Sequence, residues 1–120
     1  MEAVDQFATI EELAKIVDEN KGVVTTTIRA LRDAYGADRL GIHVRSGLSR
    51  SLRQAGLGHL PRELPDSQEK WARIYRRGSP VNELIDAVVS IDPESDEVLR
   101  ERAGNEAADT IQKIREMICG

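Results

Sequence analysis

Residues 56–70 read GLGHLPRELPDSQEK, and this stretch limits what the chain can fold into more than any other. Its two prolines and its turn-forming residues exclude a continuous helix, because proline lacks an amide donor and its ring clashes with the preceding turn. Directly after it, Trp71-Ala72-Arg73-Ile74-Tyr75-Arg76-Arg77 is rich in aromatic and branched residues and stops at Gly78, as a strand would. Residues 57–70 therefore read as a loop and residues 71–77 as a strand.

Helical periodicity flanks this loop and strand on both sides. Thr9 and Glu12 form a capping box ahead of Ile10, Leu13, Ile16 and Val17, and the helix should stop near Asn20-Lys21-Gly22. Val24, Ile28, Leu31 and Tyr35 then recur at spacings of four, three and four, which predicts a second helix closed by Gly36, with the threonines at 25–27 at its entrance. Residues 39–44 alternate in polarity and suggest a short extended piece. Val44, Leu48 and Leu52 mark a third helix that ends at Gly56. Beyond the strand, Ser79-Pro80 and Asp92-Pro93 each pair an N-cap with a proline at the first helical position. The first opens a helix carrying Val81, Leu84, Ile85, Val88 and Val89; the second opens a longer one carrying Val98, Leu99, Ala103, Ala107, Ile111, Ile114 and Ile118. Gly104-Asn105 should kink or divide it.

The fold class expected is therefore mainly α: a three-helix body with a small β-hairpin over residues 1–90, and a C-terminal helical extension over 91–120 that packs on it or on a partner. With 120 residues, 40% of them hydrophobic, the chain has room for one real core. Only Phe7, Tyr35, Trp71 and Tyr75 are aromatic, so that core must be aliphatic. No apolar run approaches the ~18–20 residues of a membrane span, and the first residues are acidic, so a cytoplasmic protein is expected. Cys119, alone, has no partner for an internal disulfide or a zinc site.

The net charge of -4 hides a strong asymmetry. Residues 1–28 hold six acids and two bases, residues 29–77 eleven bases and five acids, and residues 78–120 ten acids and four bases. Ten of the eleven central bases are arginine, whose fork suits phosphate, carboxylate and base edges better than the lysine ammonium does. The competing reading is that basic and acidic stretches pair within the fold or across a dimer.

The succession of three helices, a turn and a strand resembles a winged helix-turn-helix domain over roughly residues 9–78. That resemblance implies a third helix inserted in a DNA major groove and a hairpin wing on the backbone phosphates, with its first strand near residues 58–62, its tip at 63–70 and its second strand at 71–77. On the third helix, Ser46, Ser49, Arg50 and Arg53 stand at i, i+3, i+4 and i+7, opposite Val44, Leu48 and Leu52. Thr25 to Arg32 also looks like the start of a recognition helix, but its polar face carries Asp33, which repels phosphate. The nucleic-acid contacts expected are Ser46, Ser49, Arg50 and Arg53 in the groove, with Arg73, Arg76 and Arg77 on phosphates. Against this stand a long connection between the second and third helices and an acidic wing tip with Glu63, Asp66 and Glu69. An ordinary amphipathic helix with a solvated face would also satisfy the spacing.

Strand alternation puts Trp71, Arg73, Tyr75 and Arg77 on one face and Ala72, Ile74 and Arg76 on the other. Rings between arginines could stack exposed bases; Trp71 and Tyr75 as core or interface residues is the plainer reading. No enzyme is expected. His43 and His59 fall in predicted connections without a carboxylate or cysteine at ligand spacing, and Gly56-Leu57-Gly58 is too short for a phosphate loop. No cofactor or metal is therefore expected. The function expected is a DNA-binding regulatory or accessory module of double-stranded DNA, dimerising through its C-terminal helix. The alternative is a protein-interaction subunit docking its basic band on an acidic partner.

Overall fold

The computed structural model describes residues 3–104, 112, 115 and 116. In chain order the elements are α1 (Ile10–Glu19), β1 (Val23–Thr27), α2 (Ile28–Tyr35), α3 (Ile42–Gln54), β2 (Leu57–Leu60), β3 (Trp71–Arg76), α4 (Pro80–Val89) and α5 (Pro93–Arg102). The chain divides into two compact units, Met1–Asn82 and Glu83–Gly120. Among the described residues no helix is long and apolar enough to cross a membrane.

The first unit is mixed α/β rather than mainly helical. The expected hairpin is part of a three-stranded antiparallel sheet in the order β1-β3-β2. The additional strand is β1, which pairs along β3 from Val23 opposite Tyr75 to Thr27 opposite Trp71. Periodicity alone placed these residues in a helix because Val24 and Ile28 are four apart and both buried. Val23-Val24-Thr25-Thr26-Thr27 is instead an unbroken β-branched run, which loses side-chain freedom in a helix and packs well on a pleated surface. Thr27 is still extended, at φ -88° and ψ 151°, and its hydroxyl accepts the Ala30 amide at 3.1 Å, so the helix begins one residue later. The extended piece expected at residues 39–44 is likewise absent: α3 starts at Ile42, whose side chain is 67% exposed, so the alternation there reflected solvent and not a sheet.

The three helices of this unit line one face of the sheet. Leu13 and Val17 of α1, Ile28 and Leu31 of α2, and Leu48 and Leu52 of α3 close over Val24, Leu57, Ala72 and Ile74. Thr26 is also fully buried there, and its hydroxyl donates to the Val4 carbonyl at 2.5 Å while the Val4 amide donates to Thr25 at 2.8 Å. A buried hydroxyl with a partner avoids the cost of desolvation, so the N-terminal stretch is stitched to the free edge of β1. The capping box of α1 is present, with Glu12 N on Thr9 Oγ1 at 3.1 Å and the Glu12 carboxylate accepting the Ala8 amide at 2.8 Å. Gly47, in the middle of α3, lies against the end of the Tyr35 side chain: a Cβ there would fall 2.1 Å from the Tyr35 hydroxyl, so Tyr35 would have to move aside.

The connection from β2 to β3 does not project as a wing tip. It leaves the sheet at the cis Leu60–Pro61 peptide and folds back, burying Leu64 in the core. The Lys70 and Gln68 carbonyls accept the Ile28 and Arg29 amides at 3.0 and 3.1 Å, which satisfies two of the donors left over at the start of α2.

α4, whose first turn belongs to the first unit, and α5, within the second, begin where their cap-and-proline signals predicted. On α4 Ala87 is buried and Val88 is 66% exposed, while α5 buries no residue. Asp92 caps α5 by accepting the Ser95 amide at 2.7 Å. That amide first, and then the Ser95 hydroxyl, hold its carboxyl below the usual range. Ala107, Ile111, Ile114, Ile118 and Cys119 lie outside the described residues.

Two outcomes follow. Ile74→Ala, a deletion at a fully buried position of the central strand, is expected to cost about 2–5 kcal/mol in a denaturant titration, whereas Ile42→Ala should stay within about 0.5 kcal/mol. Equal effects would mean that β3 runs in the other register. Because the Asp92 carboxyl is depressed, its cap contributes above the ordinary carboxylate range and is lost as pH falls through the depressed value. Hydrogen exchange at Ser95 should then outpace the intrinsic acid profile, and an unchanged protection factor would contradict the cap.

Candidate functional site

α3 is thirteen residues long, IHVRSGLSRSLRQ, and contains no carboxylate. Its inner side is fixed by Leu48 and Leu52, both fully buried, and this turns Ser46, Arg50 and Arg53 outward, where all three are exposed. At a rise of 1.5 Å per residue these three positions span roughly 10 Å along the axis. No hydrogen bond or ion pair to another described residue engages the side chain of Arg50 or Arg53.

Ser49, expected on the same face, is half-buried and turned toward the sheet. Its hydroxyl lies 3.0 Å from His59 Nε2, and His59 Nδ1 lies 2.8 Å from the Pro61 carbonyl. A carbonyl only accepts, so Nδ1 carries the proton, and in the neutral ring Nε2 accepts from Ser49. His59 thus belongs to β2 and His43 to the first turn of α3, not to connections. The order hydroxyl, imidazole, carbonyl is that of an activated nucleophile. Ser49, however, stands inside α3, where backbone amides bond to carbonyls four residues earlier and none is left to hold an oxyanion. The geometry is that of a joint between α3 and β2. Among the described residues no group of three or more His, Cys, Asp or Glu side chains is placed to hold a metal ion.

The three arginines expected on the wing strand go to three different places. Arg77 follows the strand: its amide donates to the Gly56 carbonyl at 2.9 Å, and the Gly56 amide donates to the Arg53 carbonyl at 3.0 Å. Arg53 and Arg77 therefore leave the backbone at one corner, and both are exposed. Arg73 points from the outer face of the sheet, between Leu60 and Thr25 of the flanking strands. Arg76 turns inward. Its fork meets both Asp18 oxygens at 2.8 and 2.9 Å, and its terminal nitrogens donate to the carbonyls of Ala55 at 2.9 Å and Ala14 at 3.3 Å. That guanidinium joins α1, the end of α3 and β3, and is not available to a phosphate.

Two more central arginines are occupied by the fold. Arg45 donates to the Leu64 carbonyl at 3.4 Å, with its Nε buried and unpartnered, and Arg32 bonds to Gln68 and Asp33. The mouth of α2 carries Asp5, Asp33 and Glu69 around Arg29, a setting that repels phosphate and leaves α3 as the cationic helix. The spacing of 46, 50 and 53 was readable in the sequence. The inward turn of Arg76 was readable only as its shared parity with Ala72 and Ile74, and the Ser49–His59 joint had no sequence signal.

Arg76→Ala should lower stability by about 1–3 kcal/mol, because it removes charge-assisted bonds and leaves carbonyls without donors. Arg77→Ala, with an exposed side chain, should stay within about 0.5 kcal/mol in the same urea titration. Equal losses would contradict the assignment of Arg76 to the fold.

Comparison of the chain with known protein families, with curated proteins and with solved structures gives no match.

Proposed function

We propose that the first unit is a winged-helix-like module that binds double-stranded DNA through α3, in a regulatory or accessory role. The observation that carries this reading is a thirteen-residue helix free of carboxylates, with Ser46, Arg50 and Arg53 outward and unengaged. The order of elements, helix-strand-helix-helix-strand-strand with the sheet order β1-β3-β2, supports it as well. A helix of this length fits a major groove, where arginine forks reach guanine edges and serine reaches phosphate. Arg77, beside Arg53 at the end of α3, would take a flanking phosphate. The reading uses Arg50 and Arg53 first, Ser46 and Arg77 next, and leaves Arg76 and Ser49 to hold the frame. The folded-back acidic connection takes no part, so backbone contacts come from the corner of the sheet and not from a wing tip.

Fluorescence anisotropy with a labelled duplex tests this. Neutralisation of about three phosphate charges by Arg50, Arg53 and Arg77 predicts that affinity falls roughly 40-fold between 50 and 200 mM salt. The double variant Arg50→Glu with Arg53→Glu should abolish binding while circular dichroism stays unchanged, since both side chains are exposed. Absence of binding at low salt overturns the reading, and co-purification with a stoichiometric acidic protein would replace it by the docking alternative.

A further inference from the structure

The face of the sheet opposite the helices carries a second pattern. Ala72 and Ile74 are buried among the helices, so strand alternation sends Trp71, Arg73 and Tyr75 to the other side of β3. Their neighbours on that side are Thr27, Thr25 and Val23 from β1, and Leu60 and Gly58 from β2. Trp71, the only tryptophan of the chain, is 62% exposed there. An indole of this size is normally the first side chain a small domain buries, because it removes more apolar surface from water than any other. Leaving it in solvent on a central strand, with aliphatic residues filling the core behind it, marks the face as one that meets something.

The chemistry of the face narrows what that partner is. None of these eight residues is acidic and Arg73 is exposed between the two rings, with Asp5 and Glu69 beside Thr27 at one end of the face. Tyr75 is held flat by its neighbour: a Cβ on Gly58 would lie 2.4 Å from Tyr75 Cζ and 2.6 Å from its Cε2. The ring therefore covers the bare glycine backbone, and one of its faces is fixed by β2. Two rings about 13 Å apart along one strand, with a guanidinium between them and the Thr25 hydroxyl beside it, offer stacking surfaces, a counter-charge for phosphate and a hydrogen-bonding group together. A duplex hides the faces of its bases and could use only the charge. A second copy of this chain packed about a two-fold axis through the middle of β3 would bring Arg73 toward Arg73. Unpaired nucleotides use all three groups, and stacking on aromatic side chains tolerates any base sequence.

We propose that the outer face of the sheet binds single-stranded nucleic acid, with Trp71 and Tyr75 stacking unpaired bases and Arg73 meeting the backbone between them. This surface lies on the side of the sheet away from α3, and the proposal does not depend on what α3 binds.

Trp71 supplies its own probe. Titrating the full chain with an oligothymidine of about 12 nucleotides, a length within the range of single-strand sites, should quench its intrinsic fluorescence in a saturable way. The same titration with oligouridine shows whether DNA or RNA is preferred, and binding to either supports the proposal. With labelled oligothymidine, Trp71→Ala should weaken affinity by about 5- to 100-fold, the range for one stacked base, and Trp71→Phe should restore most of it. Arg39→Ala removes an exposed positive charge elsewhere in the unit and should change affinity less than twofold. The proposal is overturned if oligonucleotide leaves the fluorescence unchanged, or if Trp71→Ala and Arg39→Ala weaken binding equally. It is also overturned if the fluorescence shifts with protein concentration alone and sedimentation finds a dimer that Trp71→Ala dissociates. Because Trp71 is exposed, these variants should fold, and unchanged circular dichroism checks that they do.

Discussion

The alternation of β3 is the constraint on which the first unit depends. As the central strand it pairs with β1 on one side and β2 on the other, so its register sets which way each of its residues faces. Ala72 and Ile74 point into the helices and anchor the core. Arg76, the next residue of the same parity, arrives where α1 and the end of α3 converge, and its fork closes that gap through Asp18 and the carbonyls of Ala14 and Ala55. A slip of one residue would exchange these for Trp71, Arg73 and Tyr75 and bring an indole where a methyl group now fits.

The same constraint sorts the arginines that make the middle of the chain basic. An arginine whose nitrogens already bond to carbonyls or a carboxylate cannot also bind phosphate without leaving those groups unsatisfied. Arg32, Arg45 and Arg76 are of this kind. Of the other seven, Arg50 and Arg53 lie on α3, Arg77 at its corner and Arg73 on the opposite face of the sheet, while Arg29, Arg39 and Arg62 are exposed elsewhere in the unit. Among the described residues the Arg76–Asp18 pair joins the basic middle to the acidic N-terminal stretch, so pairing within the fold accounts for part of the charge pattern only.

Local capping chemistry was the most legible part of the sequence. Thr9, Ser79-Pro80 and Asp92-Pro93 mark helix starts because the donors they satisfy lie within a few residues. The start of β3 was legible from its aromatic and branched residues, whereas the first hairpin strand, expected near residues 58–62, lies at Leu57–Leu60 and stops before Pro61. β1 was not, because Val24 and Ile28 satisfy a helical spacing while being buried by two different elements, and only its partner strand decides between them. The same holds for the connection at residues 61–70: its prolines announce a loop, but not that Leu64 would fold back into the core. On α3 the outward stripe was legible, and the withdrawal of Ser49 toward His59 was not. Trp71 was expected in the core or at an interface; the core is excluded, since aliphatic residues and Thr26 fill that space from the other side of the strand.

The central claim is that one sheet separates two surfaces, a cationic helix face and an aromatic sheet face. Backbone amide shift mapping on the full chain tests it most directly, with a short duplex and an oligothymidine titrated in turn. The duplex is predicted to move the amides of Ser46, Arg50 and Arg53, and the single strand those of Thr25, Thr27, Trp71, Arg73 and Tyr75. Shifts confined to one shared set of residues for both ligands, or no shift in either set, would contradict the account.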